Sequence, residues 1–78
     1  MEELKITVNG KTYDVIEKET EIELIWDDEN KVKTKAIHLI FKENNNLIYD
    51  AYYKNSYLIY AKIPFTNPEI VEKILDQL

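Results

Sequence analysis

The chain has 78 residues, 45% of them hydrophobic, and 15 acidic side chains outnumber 10 basic ones to give a net charge of −5. That length makes one domain, near the lower limit at which a single core suffices, and the absence of cysteine excludes disulfides, thiolate catalysis and cysteine-ligated metal centres. Every basic residue is a lysine, and without arginine's planar fork, at negative net charge, a reader of nucleic acid is not expected.

Taken in chain order, residues 3–8 and 11–16 alternate apolar and polar around Asn9-Gly10. Asn-Gly is the strongest short hairpin signal, because a type I′ turn needs positive φ at both central positions. The hairpin opposes Val8 to Lys11, Ile6 to Tyr13, Leu4 to Val15 and Lys5 to Asp14. Glu17-Lys18-Glu19 is predicted as the next turn, leading to a third strand over 20–26. Asp27-Asp28-Glu29-Asn30 is a turn cluster. A three-residue loop there opposes Trp26 to Val32, Leu24 to Thr34, Ile22 to Ala36 and Glu23 to Lys35, which keeps the apolar residues together.

A fourth strand is predicted over 32–41 and a fifth over 47–53, joined at Glu43-Asn44-Asn45-Asn46 and paired Ile40 to Tyr49 and Phe41 to Ile48. Lys54-Asn55-Ser56 turns into a sixth strand over 57–63, closed by Pro64, which cannot donate to a ladder. Asn67 as N-cap, Pro68 at the first helical position and Glu69 beside the positive end of the dipole start a helix over 68–78. Its apolar stripe is Ile70, Val71, Ile74, Leu75 and Leu78. The sequence therefore predicts a single α+β domain over 1–78, an antiparallel six-strand meander, curled or an open barrel, with one C-terminal helix packed on it.

Ala36 to Ile63 reads as apolar on both strand faces, whereas a strand with one wet face alternates. One short helix covers one face. The parity that holds Ile37, Leu39, Tyr52, Leu58 and Tyr60 is the expected protein-binding surface, since tyrosine brings apolar area with a polar tip and is enriched at interfaces. Charge is also uneven: residues 1–30 hold ten acids against three lysines, and residues 31–62 hold six lysines against two acids. Glu17, Glu19, Glu21 and Glu23 recur with period two, so they form either a solvated face paired with Lys33 and Lys35 or an acidic docking surface centred on Glu21 and Glu23.

Signals for chemistry are weak. His38 is the single histidine, and no nucleophile or acid is pinned to it by local spacing, so it reads as structural. The Asp27–Asn30 run lacks the glycine and length of a calcium loop. No glycine-rich phosphate cradle exists, loops are short, and no carboxylate pair is placed in a pocket. The chain is expected to be no enzyme and to need no metal or cofactor. No segment approaches the roughly 18 apolar residues of a membrane span, and the start Met1-Glu2-Glu3-Leu4-Lys5 is unlike a signal peptide, so a cytoplasmic location is expected.

The stretch Ile63-Pro64-Phe65-Thr66-Asn67-Pro68-Glu69-Ile70-Val71-Glu72-Lys73-Ile74 resembles the last strand and helix of bacterial pleckstrin-homology-like domains. That resemblance implies a small-ligand or lipid-headgroup binder. The six predicted strands fall one short of that fold's seven, and no basic phosphoinositide loop is present. A hairpin, further strands and a terminal helix also resemble small archaeal chromatin proteins, which are strongly basic where this chain is acidic. The leading expectation is a small non-catalytic protein-interaction module that self-associates as a homodimer. A phage-type inhibitor of a larger host complex is a variant suited to its size, acidity and AT-rich residue usage. The alternative is a small-ligand or lipid-headgroup binding domain of pleckstrin-homology-like character, with a pocket near Trp26 and Tyr13.

Overall fold

Three two-residue turns build the sheet in the computed structural model, which describes residues 2–25, 27–65 and 67–78. Asn9 and Gly10, Asn44 and Asn45, and Asn55 and Ser56 all carry positive φ, the requirement of the tight turns whose twist matches that of the flanking strands. Among the described residues they join β1 (Glu2–Val8) to β2 (Lys11–Ile25), β3 (Lys31–Glu43) to β4 (Asn46–Lys54), and β4 to β5 (Tyr57–Ile63), while a longer connection runs from β2 to β3 and α1 (Pro68–Leu75) follows β5. Sheet order is β1-β2-β3-β4-β5, each neighbour antiparallel, and the sheet is open. The meander with a C-terminal helix is as the sequence predicts, and the first hairpin has the expected register.

The strand count differs: five, not six. Glu17-Lys18-Glu19 is no turn, and β2 is a continuous strand of 15 residues. The run contains no glycine, proline or asparagine to supply a turn conformation. Instead Glu17, Lys18 and Glu19 pair with Leu39, His38 and Ile37 of β3. Long-range pairing overrides the polar local composition.

The β2–β3 register also differs, by two residues. Leu24 opposes Val32, Ile22 opposes Thr34, Thr20 opposes Ala36 and Glu23 opposes Lys33. An even slip keeps every side chain on its predicted face. The cause is the turn: Asp27 Oδ1 accepts from the backbone N–H groups of Glu29 and Asn30 at 2.8 and 2.9 Å, and from Asn30 Nδ2 at 3.0 Å. This side-chain-capped turn needs more residues than a three-residue loop. The pairing expected for Trp26 lies outside the described residues.

The core lies between one sheet face and α1. Asn67 caps the helix, its side chain accepting from Glu69 N–H at 3.1 Å, and α1 stops at Leu75, short of the predicted Leu78, with Asp76 as C-cap. An eight-residue helix is marginal alone. Val71 and Ile74 bury it against the sheet, with Ile70, Leu75 and Phe65 at the margin. Lys73 Nζ reaches Asn9 Oδ1 at 3.5 Å, tying α1 to the first turn. Ile6, Val8, Tyr13, Val15, Leu39, Phe41, Tyr49, Ala51 and Tyr53 complete this core. A fully buried side chain of Leu or Phe size contributes about 1.5–3 kcal/mol. Among the described residues, no helix is long and apolar enough to cross a membrane.

Candidate interaction surface

The site begins with one extra residue. The Asn44-Asn45 turn sets Glu43 opposite Asn46 and Lys42 opposite Leu47, after which the register shifts and Phe41 opposes Tyr49. Ile48 is thus the inserted residue of a β-bulge. Without it Phe41 would oppose Ile48, as the sequence predicts. With it, Tyr49, Ala51 and Tyr53 turn to the helix side, and Asp50, Tyr52 and Lys54 turn to the opposite face.

That face carries a row of side chains across four strands, Lys18–His38–Tyr52–Tyr60, each opposite the next. The His38 and Tyr52 rings stack with centroids 4.4 Å apart and planes 7° from parallel. Tyr52 and Tyr60 follow at 4.9 Å and 28°. No helix covers these rings, and Tyr60 is 49% exposed. Tyr57, opposite Lys54, extends the surface toward the end of β5.

Asp50 supplies the electrostatics. It is a buried carboxylate between Tyr49 and Ala51, and such a charge needs a partner. His38 Nε2 lies 2.5 Å from Asp50 Oδ1. An ionised carboxylate only accepts, so the imidazole N–H donates. Burial first, then the nearby Tyr60 and Asp50 charges, raise the Tyr52 phenol above its ordinary pKa. The Tyr52 phenol is therefore neutral at physiological pH, and with Tyr60 it forms a stacked apolar ledge with polar tips.

Beyond Ile37, opposite Tyr53, β3 leaves β4, and beyond Glu17, opposite Glu2, β2 leaves β1. The two strands continue as a projecting arm, which accounts for a molecule measuring 48 × 24 × 22 Å. One arm face continues the helix-free face with Thr20, Ile22, Leu24, Val32, Thr34 and Ala36. The other carries Glu21 and Glu23 opposite Lys35 and Lys33.

No family model, curated protein or solved structure matches this chain. Its functional reading therefore rests on the placement of its own residues.

The predicted binding set divides. Tyr52 and Tyr60 come together on the helix-free face. Leu39 does not join them: it opposes Ala51 and is 1% exposed in the core. Ile37 and Leu58 oppose Tyr53, so they too lie on the helix side. The physical reason is two one-residue shifts, each of which exchanges faces: the Ile48 bulge parts Tyr52 from Ile37 and Leu39, and a second shift between Tyr52 and Tyr53, with Ile59 as the extra residue of β5, parts Leu58 from Tyr60. Glu21 and Glu23 sit on the arm, apart from the tyrosines. Trp26 lies outside the described residues, and Tyr13 is buried with Phe65 edge-on at 6.3 Å.

Sequence reasoning set His38 aside and overlooked Asp50, Ile22, Leu24 and Val32. A usable signal existed: an acid inside Leu47–Tyr53 requires a buried partner, and His38 is the one histidine available. The apolar alternation Ile22, Leu24 was visible, but its lack of cover was not.

Proposed function

We propose that this protein is a small non-catalytic interaction module that associates with a second copy of itself through the helix-free face. The observation that carries this reading is the stacked His38–Tyr52–Tyr60 row on a sheet face that α1 does not reach. Three further features support it. The face runs the length of a molecule 48 Å in its longest dimension. The acidic run Glu17, Glu19, Glu21 and Glu23 points to the helix side, so two copies meeting face to face keep these charges apart despite a net charge of −5 each. And the arm's apolar stripe continues the same face, so a two-fold axis near the arm's root lays each arm across the other copy's tyrosines, the reciprocity an isologous dimer needs.

Light scattering on a sizing column tests this. The expected result is a mass of twice the 9.3 kDa chain, with Tyr60→Lys giving the single-chain mass and an unchanged circular dichroism spectrum. A wild-type protein that stays monomeric at high concentration, or a Tyr60→Lys protein that stays dimeric, overturns it.

A further inference from the structure

We propose that the outer edge of β3 over Lys31–Ala36 is a docking site for an extended peptide segment in which acidic residues alternate with apolar or threonine side chains. This goes beyond self-association, because it uses the edge of the arm and not its face.

Three observations converge. First, the edge is open: β4 pairs with β3 only as far as Ile37, while β3 begins at Lys31. A strand whose neighbour stops short presents outward-pointing backbone N–H and C=O groups, the template for strand addition. Second, the lane is already shaped. Where β4 turns away at Asn55, a cleft of about 550 Å³ is walled by Lys35, Ala36, Ile37, Tyr53 and Lys54, with Glu19 and Glu21 bordering it from β2. Lys54 Nζ bridges this gap to Thr34 Oγ1 at 2.5 Å.

Third, the inner edge of β3 shows which chemistry its side chains accept. There β2 sets Glu21 and Glu23 opposite Lys35 and Lys33 on one face, and Thr20, Ile22 and Leu24 opposite Ala36, Thr34 and Val32 on the other. Yet the ion pairs among the described residues are Lys5–Asp14, His38–Asp50 and Lys73–Glu69, so neither Lys33 nor Lys35 is held by the glutamate opposite it. A strand of the same alternation on the outer edge brings its carboxylates beside these exposed lysines from the other side. Its apolar residues fall beside Val32 and Ala36. Two β3 edges meeting about a two-fold axis would instead set lysines against lysines, which destabilises a ladder. The occupant is therefore a partner strand and not a second copy of this edge.

The test is an NMR titration of the isotopically labelled chain with a capped synthetic peptide, Glu-Thr-Glu-Ile-Glu-Leu, which copies residues 19–24. The control is the same peptide with lysine in place of each glutamate. Expected are amide shifts confined to Lys31–Ala36 and Lys54, little response to the lysine peptide, and about tenfold weaker binding to the Lys33→Gln/Lys35→Gln chain, the worth of two exposed ion pairs. Equal binding of both peptides, or shifts mapping to β1 or β5, overturns the proposal. So does a concentration-dependent shift of the β3 edge without peptide that persists in the Tyr60→Lys chain, because that would show the edge itself, and not the helix-free face, pairing with another copy. The peptide comparison on the unmutated chain decides the matter even if the double variant folds poorly.

Discussion

His38 lies flat on Tyr52, ring centroids 4.4 Å apart, while its Nε2 holds Asp50 Oδ1 at 2.5 Å. One imidazole thus joins the aromatic row to the buried carboxylate beneath it. His38→Ala removes both contacts at once and leaves the Asp50 charge without its partner. We expect a loss of about 2–4 kcal/mol in urea unfolding, most of it from the stranded charge. The His38→Ala/Asp50→Asn double variant, with no charge to strand, is expected to recover part of that loss. A double variant no more stable than His38→Ala would show that the pair has no special worth.

Ile48 is the residue that the bulge adds between Leu47 and Tyr49. Its deletion joins Leu47 to Tyr49 and leaves Phe41 opposite Tyr49 with no bulge, so Tyr49, Ala51 and Tyr53 stay on the helix side. The expected outcome is a cooperative transition at reduced stability. Ile48→Val keeps the bulge and trims one methylene, at a cost of about 0.5–1.5 kcal/mol. Thermal melts of the two variants separate the worth of the bulge from that of the Ile48 side chain, and a deletion variant without a cooperative transition would show that the sheet needs the bulge itself.

Tyr49 and Tyr53 share a hydrogen bond between their hydroxyls at 2.5 Å in the core. Burial foremost, then the Tyr53 hydroxyl, hold the Tyr49 phenol well above its ordinary value of 10.0. A raised folded pKa means stability fully present below the unfolded value, about 10, and lost as pH rises beyond it. Tyr49→Phe is expected to cost about 1 kcal/mol at neutral pH and to flatten the loss of stability above about pH 10. Urea midpoints measured across that range check both parts.

Asp27 organises the tip of the arm. The Asn30 side chain and the Glu29 backbone N–H hold its carboxyl below the ordinary value of 3.8. A depressed folded pKa means that the turn's stabilisation is fully present above that ordinary value and is lost below it, as pH falls through the lowered folded pKa. Asp27→Ala at neutral pH is expected to speed amide exchange at Glu29 and Asn30 while leaving Phe41 and Ala51 protected. Unchanged exchange at the tip would show that the turn does not depend on this carboxylate.

Sequence alone determined what is local. Asn9-Gly10 sets its hairpin because positive φ is needed at both positions and these residues supply it; Asn67-Pro68 starts the helix through a cap and a preset φ; and the paired asparagines mark the later turn. The continuity of β2 through Glu17-Lys18-Glu19 was not legible, because its cause is pairing with Ile37 to Leu39, distant in the chain. The two-residue slip at the arm was hidden for a related reason: how much chain the Asp27 carboxylate gathers depends on which N–H groups it reaches. The tertiary structure alone decided the faces. Two registers for the β3–β4 hairpin both align apolar side chains, and only packing Tyr49, Ala51 and Tyr53 against Phe41, Phe65 and the helix selects the bulged one. That selection buries Leu39, gathers Tyr52 and Tyr60 beside His38, and leaves them on the side that a single short helix does not cover.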